Sequence, residues 1–170
     1  YGNQNFVLNW YNDGSAIRNF KGAVIRNPKT YFHQSVSWSK VSSGSIAFRF
    51  FPFGFVYDVA GTSLFFEDDD QIPCMIGLVN SKVVKHFLNI ISPTLNYEVG
   101  QISNLPVCDF GESSSIKKIV TDCITLSRTD WDSFETSWDF KKHPLLPIDP
   151  SPTPDGSAQD ATLIKASVLM

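Results

Sequence analysis

The chain has 170 residues, of which 42% are apolar and 14% aromatic, and its formal net charge is −3. A chain of this length and apolar content can bury a core, which excludes a largely disordered protein. No apolar run reaches the roughly 18–20 residues of a membrane-spanning helix and no signal peptide opens the chain, so we expect no membrane contact. Its 3 cysteines include no Cys-x-x-Cys pair, which indicates neither a disulfide framework nor a zinc site and fits a cytoplasmic protein.

The charged residues are unevenly distributed along the chain. No Asp or Glu occurs between Gly14 and Tyr57, which we call the acid-free segment, whereas the acidic residues are concentrated between Asp109 and Asp160. Basic residues recur in the acid-free segment, at Arg18, Lys21, Arg26, Lys29, Lys40 and Arg49. A pI near 5.5 argues against a uniformly basic surface for nucleic acid. The uneven distribution instead predicts one face suited to DNA and a separate acidic surface.

The first part of the chain has the composition of short strands. Residues 12–15 (Asn-Asp-Gly-Ser) predict a turn, and residues 23–25 predict a short strand. Aromatic and β-branched residues are dense from residue 31 to 66, with glycines between them, which predicts several strands. The clearest of these are residues 45–51 and 62–66. Because the strands precede the helices, the sequence predicts an α+β fold rather than alternating βαβ units.

A long amphipathic helix is predicted from Met75 to Ser92, with Pro73 suited to its first turn and Pro93 ending it. Its apolar residues recur every three or four positions, which predicts a buried face formed by Ile76, Val79, Val83, Phe87, Ile90 and Ile91. The opposite side carries donors that we expect to be exposed, namely Lys82, Lys85, His86 and Asn89. The polar segment 94–106 that follows is predicted to be a loop that contacts a partner.

Two more helices are predicted after Pro106. The first has an apolar face formed by Ile116, Ile119, Val120, Cys123 and Ile124. The second is capped by Thr129 or Asp130 and has an apolar stripe of Trp131, Phe134 and Trp138. Residues 144–160 have the composition of a proline-rich linker. Because the chain begins at Tyr1 without a methionine and breaks off in an apolar run at 161–170, we expect an excised piece of a longer protein that ends at the start of a truncated helix.

The predicted long helix and the loop after it contain an extended motif. It begins with Asn80-Ser81-Lys82 and continues with Ser92-Pro93-Thr94, Asn96-Tyr97, Val99-Gly100, Ile102 and Leu105-Pro106. This pattern resembles a segment of the PglX-type adenine-specific DNA methyltransferases of phage-exclusion systems, and of related restriction enzymes that fuse a methylase to a nuclease. Residues 30–66 and 129–140 are similar to the same family, so the resemblance spans about residues 31–146.

The resemblance implies that residues 1–110 are a target recognition domain with a curved, mainly antiparallel sheet followed by helices, and that residues 111–143 are a helical extension. In this family a separate domain binds S-adenosylmethionine and methylates an adenine amino group. Its Asn-Pro-Pro-Tyr/Phe loop and Gly-rich cofactor turn are missing here, since Asn27-Pro28-Lys29 lacks the second proline and Gly61 stands alone. We therefore expect no catalytic residue, cofactor or metal in this chain. Double-stranded DNA and the methyltransferase domain of the parent chain are the expected partners.

The candidates for DNA contact are Trp38, Ser39, Lys40, Arg49, Lys82, Lys85, Asn96, Tyr97 and Gln101. Each of them also has a purely structural interpretation. Trp38 either stacks on a base or belongs to the core, and Arg49 either binds a phosphate or guanine or is an ordinary outward charge on a strand. The two lysines of the helix either meet phosphates or are simply solvated. Residues 96–97 either contact base edges or shape their own loop.

Two other classes of function share some of these residue types. His33, Ser35 and Asp58 are residue types of a hydrolase, but no Gly-x-Ser-x-Gly nucleophile motif accompanies them. The histidines have no metal-binding spacing. A β-rich module that binds carbohydrate or protein through Trp and Tyr side chains is the alternative function, and its binding would be insensitive to salt.

Overall fold

Three strands form the centre of the part of the chain that the computed structural model describes, which is residues 2, 4, 6–108, 110 and 113–146. β1 spans Ser35–Ser39, β2 spans Phe48–Phe51 and β3 spans Gly61–Leu64, in the antiparallel order β2-β1-β3. With the helices that follow, this confirms the α+β class and the antiparallel sheet. Most of the predicted linker at 144–160, and all of the predicted helix at 161–170, lie outside the described residues.

The two faces of the sheet differ because side chains alternate along each strand. Val36 and Trp38 of β1 point to one side, where they join the main hydrophobic core, and we call this side the core face. The register places Phe50 and Leu64 beside Val36 on the same side. The opposite side, which we call the open face, carries Ser35, Ser37, Ser39, Arg49, Phe51 and Ser63.

Residues 23–25 do not form the predicted strand, and Val24 is 71% exposed. The reason is that Ile25 packs into a small separate cluster around Tyr31 and Val56 instead of lying beside a strand of the sheet. The strand predictions at 45–51 and 62–66 fall on β2 and β3. Local composition therefore predicted β2 and β3 correctly, which pair with β1, and wrongly predicted a strand at residues 23–25, which pair with no strand.

The predicted turn at residues 12–15 is a left-handed turn at the start of α1, which spans Tyr11–Arg18. Asn12, Asp13 and Gly14 have φ angles of 50°, 54° and 67°. A Cβ on Gly14 would lie 3.1 Å from the Trp10 ring, so both the backbone conformation and the available space favour glycine. Asp13 then pairs with Arg18 at 2.9 Å, so the acidic residue just before the acid-free segment neutralises one of its basic residues.

The predicted long helix is in fact two helices. α2 spans Ile72–Val79 and α3 spans Lys82–Ile91, with a bend of 70° between them. At the bend, the Asn80 side chain donates to the carbonyls of Phe48 and Ile76, both at 3.0 Å, and accepts from the Phe48 amide at 3.1 Å. Ser81 Oγ accepts from the Val84 amide and caps α3. Pro73 lies in the first turn of α2 and α3 ends before Pro93, as predicted.

The buried face of α3 is also not the predicted one. Val84 and Leu88 are 1% and 0% exposed, whereas Val83, Phe87 and Ile90 are 63%, 37% and 65% exposed. The bend at Asn80 changes the phase of the helix, because the residues before and after it no longer share one axis. α3 therefore keeps an exposed apolar stripe beside its buried one.

Within the described ranges, no single helix has both the length and the apolar character to cross a membrane. The required length and apolar character are met only when two helical segments joined at the 70° bend are taken together, Asp69–Val79 and Lys82–Ile91.

One long helix covers α2 on its outer side. After the short α4 (Val99–Ser103), α5 spans Ser114–Asp132 and contains the first helix predicted here. The second predicted helix does not form, because α5 ends at Asp132 and residues 133–139 make turns. Thr129 and Asp130 lie inside α5 and cap nothing. A Cβ on Gly77 of α2 would lie 2.9 Å from the Val120 side chain, which shows how closely the two helices pack. Val120 and Ile124 of α5 face the core. Four other residues of the predicted apolar faces are more than a third exposed, namely Ile116 and Ile119 of α5 and, in the turn after it, Phe134 and Trp138.

The phase of α3 can be tested by two matched substitutions. Leu88→Ala should lower the free energy of unfolding by about 2–5 kcal/mol, because it removes fully buried atoms and leaves a cavity. Ile90→Ala, at a position that is 65% exposed, should change it by no more than about 0.5 kcal/mol. Urea denaturation followed by circular dichroism measures both. A larger loss for Ile90→Ala would contradict the observed phase and favour the one predicted from periodicity.

Candidate nucleic-acid interface

A cleft of about 680 Å³ lies over the open face of the sheet. Ser37 and Ser39 of β1 and Arg49 of β2 line it, and they are neighbours because Ser37 stands opposite Arg49 in the register. Loop 55–61, Gln4 and Phe6 also line it. Trp138 Nε1 donates to the Gln4 carbonyl at 2.8 Å and so attaches Gln4 to the turn after α5. The cleft therefore brings together parts of the chain that are distant in sequence.

Arg49 carries the unpaired charge of this cleft. Its side chain is partly buried, Nη1 donates to Ser39 Oγ at 3.3 Å, and no carboxylate of the described residues forms an ion pair with it. Lys40, by contrast, is paired with Glu98 at 3.0 Å. The Asp58 carboxylate accepts from two backbone amides of its own turn at 2.8 and 2.9 Å. An uncompensated positive charge in a recess attracts an anionic group.

The Tyr57 phenol adds a neutral polar group beside this charge. Its hydroxyl accepts a hydrogen bond from Ser35 Oγ at 2.7 Å and donates to the His33 carbonyl at 3.3 Å. Its ring packs edge-on against Phe51 and Phe65. Burial raises the pKa of Tyr57 to about 12, while the hydrogen bond from Ser35 acts in the opposite direction. The phenol therefore stays protonated and does not cancel the charge of the cleft.

The residues considered for a hydrolase do not form a catalytic arrangement. Ser35 is 0% exposed and its hydroxyl bonds to Tyr57 rather than to a histidine. Among the described residues, no group of three or more His, Cys, Asp or Glu side chains is placed to hold a metal ion.

Trp38 and Tyr97 are core residues, which corrects their interpretation as DNA contacts. They are 1% and 6% exposed, so neither ring reaches the surface to stack on or contact a base. Trp38 Nε1 donates to the Tyr97 carbonyl at 3.0 Å, and the Tyr97 amide donates to the Lys40 carbonyl at 2.7 Å. The two residues join the motif loop to the end of β1.

Asn96 and Gln101 belong to the same motif and have different positions. Asn96 is exposed, and its carbonyl accepts from Ser92 Oγ at 2.6 Å. Gln101 Oε1 accepts from the Glu98 amide at 2.8 Å, which completes a capping box at the start of α4. Gln101 therefore has a structural role, whereas the Asn96 side chain is available at the surface.

Lys82 and Lys85 lie on α3, on the other side of the sheet from the cleft. Lys82, His86 and Asn89 are exposed as predicted, and Lys85 is partly buried. No ion pair joins either lysine to a carboxylate in the described part of the chain. Because α3 packs on the core face, the sheet separates its lysines from Ser39 and Arg49. The structure thus divides the candidate DNA contacts between two surfaces.

Sequence reasoning missed two residues of the cleft, Gln4 and Tyr57. Tyr57 belongs to the succession Gly54-Phe55-Val56-Tyr57-Asp58, which is part of the family resemblance and was a usable signal. Gln4 had none, because it reaches the cleft only through its contact with Trp138.

The chain is related to adenine-specific methyltransferases, which confirms the resemblance seen in its motifs. It is 32% identical over 148 residues to the adenine-specific methyltransferase BrxX of Escherichia coli O9:H4 (strain HS). It is 37% identical over 153 residues to the adenine-specific methyltransferase PglX of Lacticaseibacillus casei (strain Zhang). Both matches cover 86% of this chain, which spans only 12% and 13% of the length of these relatives. No protein-family model matches the chain.

The raised pKa of Tyr57 predicts how stability depends on alkaline pH. Because the folded-state pKa of about 12 lies above the roughly 10 of an unfolded tyrosine, folding favours the protonated phenol. Its contribution is complete below about pH 10 and should be lost as the pH rises toward about 12. Near-ultraviolet titration of phenolate should show a late component that Tyr57→Phe removes and that Tyr11→Phe, at an exposed site, leaves in place. An unchanged titration curve for Tyr57→Phe would contradict the burial argument.

Proposed function

We propose that this chain is the DNA-recognition part of an adenine-specific DNA methyltransferase and positions DNA for methyl transfer by a separate catalytic domain. The observation that carries the proposal is the unpaired, partly buried Arg49 in a cleft of the open face. The names of the two relatives support the methyltransferase part of it. The recognition part rests on charge and on hydrogen-bonding chemistry.

The open face is the proposed DNA surface because Arg49 lines its cleft and other cations without partners lie in the same acid-free segment. Phe32 and loop 54–55 exchange backbone hydrogen bonds of 2.7 and 3.0 Å, so the middle of the acid-free segment is joined to the part of the segment that lines the cleft. Arg26 and Lys29 of that segment are exposed and have no ion-pair partner among the described residues. Neutralising DNA phosphates with Lys and Arg releases counterions, which is the main source of affinity in such complexes.

The two lysines of α3, Lys82 and Lys85, are a second candidate surface. Like the two cations of the acid-free segment, Lys82 and Lys85 form no ion pair with a carboxylate of the described residues. They lack a cleft beside them, and their neighbours on the outer side of α3 include the exposed Val83 and Ile90. A small domain presents one face to a duplex, so we place DNA on the open face and treat α3 as the competing site.

S-adenosylmethionine is proposed to bind elsewhere in the parent protein. The described sheet is wholly antiparallel, whereas the cofactor crevice of a Rossmann-like domain forms at the carboxyl ends of parallel strands. The residues present here therefore do not fit the cofactor, and no step of methyl transfer is assigned to them.

The DNA surface can be located by removing charges in matched pairs. Arg26→Ala and Lys29→Ala should each weaken binding to all duplexes about equally and lower the slope of log affinity against log salt by about one unit. Lys82→Ala and Lys85→Ala should change neither quantity. Fluorescence anisotropy with short duplexes between about 0.05 and 0.3 M salt measures the slopes.

The opposite pattern, with the slope lowered by the α3 lysines alone, would place DNA on α3. Binding by the unaltered chain that does not depend on salt would favour the carbohydrate- or protein-binding alternative. Melting curves of each variant serve as the folding control, because exposed substitutions should cost no more than about 0.5 kcal/mol.

The cofactor proposal predicts that this chain neither binds S-adenosylmethionine nor methylates DNA by itself. Calorimetric titration with the cofactor should give no heat of binding, and incubation with labelled cofactor and duplex DNA should transfer no label. A saturable binding isotherm in the micromolar range would contradict the assignment of this chain to recognition alone.

A further inference from the structure

Two buried polar atoms without a partner lie on or beside the open face, and one of them belongs to a residue that lines the cleft. Gln4 is 8% exposed and lines the cleft, and its Nε2 is buried with no hydrogen-bond partner. Ser63 stands opposite Ser37 on the same face, and its buried Oγ also lacks a partner. A buried polar group without a partner costs about 1–3 kcal/mol, so native structures keep few of them without a reason.

Arg49 adds further donors to the same space. Its hydrogen bond to Ser39 uses Nη1 and leaves the rest of the guanidinium fork without a partner among the described residues. The carboxylate that lines the cleft, Asp58, is occupied by its own turn, and Lys40 is held by Glu98. The cleft therefore holds guanidinium donors that no carboxylate of the described residues pairs with, and the group that complements them has several acceptor oxygens and a negative charge.

The recessed position of the guanidinium selects among the groups of a DNA duplex. Phosphodiesters project from the outside of the double helix, whereas the base edges lie at the bottom of its grooves. A side chain must project from the protein surface to reach a base edge at the bottom of a groove. The Arg49 guanidinium lies inside a cleft, so it is better placed to meet a phosphate on the outside of the duplex. Arg also binds phosphate with two parallel hydrogen bonds, which a partly buried fork holds in a fixed direction.

We infer that this cleft is a phosphate-binding site, in which the Arg49 guanidinium donates to one phosphodiester of the DNA backbone. The inference rests on the proposed function and adds the chemical group that the cleft takes. It assigns Arg49 to fixing the position of the duplex rather than to distinguishing its sequence, since phosphates carry no sequence information.

The test compares the unaltered chain with Arg49→Ala, Arg49→Lys and the control Lys118→Ala, an exposed lysine on α5. Arg49→Ala should weaken binding roughly ten- to hundred-fold for every duplex, the effect of losing a charged hydrogen bond. It should also lower the salt slope by about one unit. Arg49→Lys should keep the slope but recover only part of the affinity, because an ammonium lacks the planar fork. Lys118→Ala should behave like the unaltered chain.

Duplexes with one neutral methylphosphonate linkage locate the bound phosphate. One linkage should cost affinity in the unaltered chain and cost nothing further in Arg49→Ala, because the two changes remove the same contact.

Three outcomes would overturn the inference. Loss of affinity in Arg49→Ala that is confined to duplexes with one particular base, with an unchanged salt slope, would make Arg49 a base contact. Unchanged DNA binding by Arg49→Ala would exclude the cleft as the phosphate site and leave DNA recognition by this chain intact. That conclusion would hold even if the cleft of the unaltered chain binds inorganic phosphate. A complete lack of DNA binding by the unaltered chain at low salt would overturn the proposed function and this inference with it.

Discussion

The buried indole of Trp38 is the contact on which both surfaces of this protein depend. It lies in the central strand at 1% exposure, packs against Phe48 with ring centroids 5.7 Å apart, and donates Nε1 to the Tyr97 carbonyl at 3.0 Å. The hydrogen bond satisfies a donor that would be costly to bury alone. Because Trp38 and Val36 face the core, the alternation of the strand directs the intervening Ser37 to the open face, next to Arg49. The orientation of the β1 side chains thus determines which face of the sheet forms the core and which face forms the cleft.

The motif that connects this chain with adenine-specific methyltransferases is mostly architectural. Asn80 bonds to Phe48 and bends the helical segment, Ser81 caps α3, and Gln101 caps α4. Tyr97 is buried under the loop. These side chains satisfy backbone groups at helix ends and at an edge strand, which only particular residue types can do. Such a motif reports relatedness and fold, whereas the proposed ligand contacts lie outside it, on the open face.

The electrostatics of the cleft explain how a chain with a net charge of −3 presents a cationic site. The charge is local: Glu98 neutralises Lys40 and Asp13 neutralises Arg18. Arg49 is left without a carboxylate among the described residues, inside a recess where the solvent screens it less than at the open surface. In the proposed function, the acidic residues elsewhere discourage other orientations of the duplex by repulsion.

Sequence alone determined the features that depend on neighbouring residues. The α+β order of elements, the strands at β2 and β3, the helix start at Pro73, the helix end before Pro93 and the acid-free segment all follow from local composition, because propensity and charge act over a few residues. The phase of α3 was decided by tertiary structure: its stripes Val83, Phe87, Ile90 and Val84, Leu88, Ile91 have the same period, and only packing into the main hydrophobic core selects the second for burial. The single α5, the burial of Trp38 and the cleft that joins Gln4 to Arg49 were decided in the same way, since each depends on residues far apart in the chain that meet only when the core forms.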